Sequence, residues 1–166
     1  TPNSPVRNYP YYMNFAGERL LITGGGHIAN RLDRPGTIMA FENNTWNSFQ
    51  EEGISEQTKH RYDDINCIVQ DPKDATHHFA ASAGEGIYEF KDGKFINWYS
   101  MHNSPLESAV PNEPWADSYV RVNGLIYDKE NNLWMVSCET QHAVSVLMKN
   151  GDWASLHYPE IVKASN

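Results

Sequence analysis

One hairpin pattern occurs three times in this chain, and that recurrence restricts the folds open to it more than any single motif does. Residues 89–99 read EFKDGKFINWY: an apolar stretch, a Lys-Asp-Gly-Lys reversal and a second apolar stretch. LMKNGDWASLHY at 147–158 lies over it at an offset of 58, matching Phe90 to Met148, Gly93 to Gly151, Phe95 to Trp153 and Trp98 to Leu156. A more degenerate copy, AFENNTWNSFQ at 40–50, fits at an offset of 49, with Phe41, Trp46 and Phe49 in the places of Phe90, Phe95 and Trp98. Each copy is preceded by another hairpin with its own turn: YYMNFAGERLLITGGG, INCIVQDPKDATHHFAASAG and GLIYDKENNLWMVSCE. Asn, Asp, Gly and Pro at these corners suit tight reversal, Pro by presetting its φ and the others by tolerating left-handed backbone.

Each unit thus carries four short strands in about 40 residues, the size of a propeller blade. We place the units at 10–49, 64–99 and 120–158, joined by connections 50–63 and 100–119. A sandwich also has many short strands, but it does not repeat the same turn chemistry in the same order. The expected fold is an all-β β-propeller segment of three four-stranded antiparallel blades, part of a larger ring. Only 51–60 has a composition that tolerates a helical turn. Phe95, Trp46, Trp98, Trp134 and Trp153 are expected at matching positions in the packing between blades.

Composition removes several classes of function. A net charge of -8 without a Lys/Arg cluster excludes nucleic acid as partner. No apolar run reaches the roughly 18 residues of a membrane span, so direct membrane insertion of this segment is not expected. The chain begins at Thr1 and reads as a mature secreted product or a piece of something longer. Cys67 and Cys138 lack CxxC spacing and read as buried free thiols in strands, with pairing in an oxidising compartment the alternative.

The motifs of catalysis and metal binding are missing. The seven histidines show no HxH or HxxxH spacing, and His77 and His78 are adjacent on a strand, so they point to opposite faces. Asp63, Asp64, Asp71 and Asp74 read as corner aspartates that accept backbone hydrogen bonds rather than calcium ligands. No GxSxG occurs, and Gly84 and Gly86 flank Glu85 in a turn that opens no helix. We therefore assign no catalytic residue, no metal and no cofactor.

Two stretches carry a resemblance. VNGLIYDKENNLWMVS resembles the two-component regulator propeller repeat, with its Gly-Leu and D-x-x-G/N-x-L-W core. DINCIVQDPKDATHHFAASAGEGIYEFKDGKF is similar to the propeller repeats of Bacteroidetes extracytoplasmic proteins: hybrid sensor periplasmic domains and PorZ-like accessory proteins of type IX secretion. The resemblance covers about residues 9–158 and departs most in the first unit, where Gly24-Gly25-Gly26 and a long loop replace Ser-x-Gly-Glu-Gly. It implies a periplasmic or cell-surface location and more blades than this chain supplies, from the same parent chain or from a second copy in a homo-oligomer.

In an up-and-down blade the connections alternate between two ends. Here one end receives only tight turns, and the other receives the long connections 24–36, 50–63 and 100–119. Loops that break a repeat on one face of a rigid scaffold are where binding groups are presented. From them we select His27, Arg31 and Arg34, the arginines for carboxylate or phosphate groups, with Trp115 for stacking and Asp117 beside it. The expectation is a non-enzymatic ligand-binding or protein-interaction module with a glycan or protein as ligand. The alternative is a propeller-scaffold enzyme such as a polysaccharide or lactone lyase.

Overall fold

The structure, a computed structural model, describes residues 3–26 and 32–158. Its twelve strands fall into three separate antiparallel sheets of four. The first holds β1 (Tyr12–Ala16), β2 (Arg19–Thr23), β3 (Ile38–Glu42) and β4 (Thr45–Ser48) in that order. The second holds β5 (Ile65–Asp71), β6 (Asp74–Ser82), β7 (Ile87–Lys91) and β8 (Lys94–Tyr99). The third holds β9 (Val122–Tyr127), β10 (Leu133–Ser137), β11 (Val144–Leu147) and β12 (Trp153–Leu156). The expected all-β fold of three four-stranded antiparallel units is present. A five-residue helix, α1 (Ile54–Thr58), lies in the first inter-sheet connection, and a 3-10 turn at Ala116–Tyr119, unannounced by the sequence, lies in the second.

Local chemistry accounts for the hairpins. Asn43 and Asn44 take φ of 51° and 58°, and Asp92 and Gly93 take 51° and 69°. Positive φ at both central residues gives the turn whose twist matches that of the flanking strands. The third copy is different: Met148 N–H bonds to Asp152 O at 2.8 Å, leaving a three-residue loop with Gly151 at φ 90°.

That extra residue corrects the alignment read from sequence. Leu147, not Met148, stands opposite Trp153 as Phe90 stands opposite Phe95, and Met148 is exposed. A register shift at Glu89/Phe90 displaces Trp98 in the same way, so its counterpart is Ser155 rather than Leu156. Trp46, Phe95 and Trp153 do occupy one repeat position. Trp134 does not share it: it lies on the opposite face of its sheet, paired with Ile126 and Val146. Matching by residue type cannot see a one-residue slip, yet in a strand such a slip inverts the face.

Sheets stack face to face through two cores. Leu21, Ile38 and Phe49 of the first sheet meet Ile68, Tyr88 and Phe90 of the second. Phe79, Ala81 and Ile87 from the other face of the second sheet meet Val122, Leu133 and Met135 of the third. On β6, His78 faces the first seam, where its ring packs edge-on against Phe49 at 4.9 Å, and His77 lies in the second against Phe79. The two thiols are free; Cys67 is buried in β5, while Cys138 is half-buried beyond the end of β10 rather than in a strand.

Candidate functional site

The long connections meet at one end of the stack, and close backbone approach fixes them there. A Cβ on Gly25 would stand 2.1 Å from the Ile65 carbonyl oxygen, so only glycine lets the end of the first sheet touch the start of the second. Asp64 takes φ 46°, and its carboxylate accepts the backbone N–H groups of Leu32 and Asp33 at 2.9 Å and of Arg34 at 3.2 Å. Its own N–H bonds to Arg34 O. This corner aspartate therefore uses its oxygens to hold the backbone of residues 32–34.

The turn after β6 joins the other connection. Gly86 N–H bonds to Val120 O at 2.9 Å, and Val120 N–H to Gly84 O at 2.8 Å. Between them, Glu85 is buried, with Oε2 3.3 Å from His60 Nδ1. Trp98 Nε1 donates to Glu85 O at 2.5 Å, and the His60 ring lies against the Trp98 ring at 4.4 Å. Arg61 Nη2 lies 2.7 Å from Asp33 Oδ1 and 2.5 Å from Asp63 Oδ2.

Above this polar layer is an open cleft of about 560 Å³ between the two connections. Ser55, Lys59, His60 and Arg61 form one side, and Pro114, Trp115, Asp117 and Ser118 the other. Trp115 leaves 53% of its surface open, unusual for so large an apolar group. Asp117 Oδ1 is 2.9 Å from His102 Nε2, and Lys59 holds the left-handed φ of 62° that ends α1. An exposed indole facing two cationic side chains can stack on a flat ligand face while polar groups orient it.

The residues selected from sequence are thus divided. Trp115 and Asp117 stand together in the cleft. Arg34 is elsewhere: Nη1 donates to Gly25 O at 3.2 Å, and the guanidinium lies over the Tyr9 ring at 5.1 Å, where it braces the chain's own loop. His27 and Arg31 lie outside the described residues. Lys59, His60 and Arg61 line the cleft but were not among the selected residues, because nothing in a sequence tells which of two distant loops face each other. Glu85 was read as a turn residue, and its burial has no local signal. Among the described residues, no group of three or more His, Cys, Asp or Glu side chains is placed to hold a metal ion.

Solved structures supply the comparison with known proteins. PorZ, an essential surface component of the type IX secretion system of the human oral bacterium Porphyromonas gingivalis, is similar to 96% of this chain. The TM-score is 0.84, and the two are 26% identical in sequence. The chain is similar in structure to part of PorZ. It spans only 21% of the PorZ chain, so the likeness is to one segment of a larger protein. No protein-family model matches the sequence, and no curated protein does. Among the described residues, no helix is long and apolar enough to cross a membrane.

Proposed function

We propose that this chain is a non-enzymatic, extracytoplasmic binding module of a type IX secretion accessory protein, acting at the periplasmic side or the cell surface. It presents the cleft between connections 50–63 and 100–119 to a glycan or protein ligand. The observation that carries this reading is the exposed indole of Trp115 facing Lys59 and Arg61 across a cleft built only from connections that break the repeat. The sheets beneath supply rigidity, and the connections supply chemistry. The similarity to a secretion-system surface component supports the location and the class of role.

The test is a glycan array probed with the wild-type chain and with Trp115→Ala. Loss of an exposed aromatic platform should weaken any specific signal tenfold or more while leaving the near-UV circular dichroism of the buried aromatics intact. Signals that survive Trp115→Ala at full strength would remove the cleft from the reading.

A further inference from the structure

The repeat supplies its own control for one buried side chain. His78 on β6 stands between Gln70 and Phe90, and the residues in its place in the other two sheets are Leu20, between Phe15 and Phe41, and Leu133, between Tyr127 and Leu147. Only the second sheet puts an imidazole there. His78 is 1% exposed, yet neither Nδ1 nor Nε2 has a hydrogen-bond partner. A leucine would carry no such burden, whereas a buried and unsatisfied polar group lowers stability. A local rule broken in one repeat, where its two siblings keep it, marks a place with a task other than packing.

His78 and Phe49 form the buried wall of a groove of about 700 Å³ between the first and second sheets. That volume suits a small ligand. The groove shares no residue with the loop cleft. Its exposed rim carries Asn47, Glu52, Asp92 and Lys94, whose side chains make no hydrogen bond among the described residues. Arg19 is already committed to Glu42, Gln70 and Ala75 O.

This chemistry selects among ligands. An anion would meet the carboxylates of Glu42, Glu51, Glu52 and Asp92 against only Arg19 and Lys94. A metal ion would find a lone imidazole, since no group of three or more His, Cys, Asp or Glu side chains among the described residues is placed to hold one. Burial and the nearby Arg19 charge keep the imidazole neutral at pH 7. A neutral imidazole offers one N–H and one lone pair, and a hydroxyl group answers either. The carboxylates, amide and ammonium of the rim bond hydroxyls in the same two senses.

We propose that this groove binds a neutral sugar residue, with His78 hydrogen-bonded to a hydroxyl group at the buried wall and Asn47, Glu52, Asp92 and Lys94 taking the outer hydroxyls. Both sheets that build it belong to this chain, so the site does not depend on what lies beyond the first sheet or the third. Nor does it rest on the reading of the loop cleft.

Titration of the full chain with the methyl glycosides of glucose, galactose, mannose and N-acetylglucosamine, followed through the ring-nitrogen NMR resonances of His78, tests the proposal. At least one glycoside is expected to shift these resonances saturably. His78→Leu, which restores the residue type of the sibling sheets and so keeps the fold, should weaken that binding tenfold or more in calorimetry. Asp92→Asn, at an exposed position of the rim, repeats the test without touching the core and should weaken it severalfold. Trp115→Ala should leave it unchanged; loss of binding there would assign the signal to the loop cleft and overturn the proposal. His78 resonances that no glycoside moves also overturn it, leaving the imidazole to buried water. So does a shift produced by lysine amide and by no glycoside, the mark of a cation site.

Discussion

The two seams solve the same packing problem with different materials. The first is aromatic: Phe90 lies 5.6 Å from Phe49 and 6.2 Å from Phe95, and Tyr62 packs edge-on against Tyr88 at 4.9 Å. The second is more aliphatic, built on Leu133, Met135 and Val122, and is closed at its turn-end rim by a polar cluster. There His77 Nε2 lies 2.6 Å from Glu89 Oε1 and Nδ1 lies 3.5 Å from Asp71 Oδ2. Tyr99 OH donates to Glu89 Oε2 at 2.9 Å, and Asn131 of the third sheet's first turn donates to Asp71. At the same rim of the first seam, Arg19 reaches across to the Gln70 side chain, held by Glu42 at 2.8 Å. A repeated backbone thus tolerates quite different side-chain chemistry, provided that each seam stays filled.

The difference can be broken most forcefully in the aromatic seam. Phe90→Ala should lower unfolding free energy by about 3–5 kcal/mol, and Met135→Ala in the second seam by about 2–5 kcal/mol. Chemical denaturation that placed Met135→Ala well below Phe90→Ala in stability would reverse the ranking of the seams.

The paired histidines of β6 sharpen the contrast through pH. Burial, with the Arg19 charge second, pushes the His78 imidazole down to about 4. Between that value and about 6.5 the unfolded chain takes up a proton that the folded chain refuses, so stability falls as pH drops through this window. His78 replaces Leu20 and Leu133 of the other sheets, and neither ring nitrogen has a hydrogen-bond partner. His78→Leu should therefore flatten the acid limb and raise stability at neutral pH by about 1 kcal/mol. Melting curves from pH 4 to 8 decide; an unchanged acid limb would show that His78 does not cause it.

The smallest effect belongs to His77. Its hydrogen bond to Glu89 raises its pKa, against the opposing effect of burial, and Asp71 adds to the rise. A raised imidazole stabilises the fold fully below about 6.5 and loses that contribution as pH climbs through the folded value. His77→Gln should cost about 1 kcal/mol at pH 6 and less at pH 9. A deficit equal at both pH values would reduce His77 to packing alone.

Much of the fold was legible because its signals are local. Asn43-Asn44 and Asp92-Gly93 announce turns by what their backbones tolerate, and the alternation on β6 placed His77 and His78 on opposite faces. The candidate site was legible only in part. That Trp115 belongs to a loop breaking the repeat can be read from the chain, but that it faces Lys59 and Arg61 cannot. Arg34 stands away from the cleft, with its guanidinium on Gly25 O and the Tyr9 ring, and residue type alone does not distinguish an arginine that serves its own loop from one that faces the cleft.

By itself, the sequence determined three units of four strands, the places of their turns and the end at which the long connections emerge, since each follows from the preferences of a few neighbouring residues. Tertiary structure alone decided the register of the third hairpin, the face on which Trp134 lies, the burial of Glu85 and the company of Trp115. Those depend on residues far apart in the chain meeting in space, and one extra turn residue is enough to exchange the inner face of a strand for its outer one.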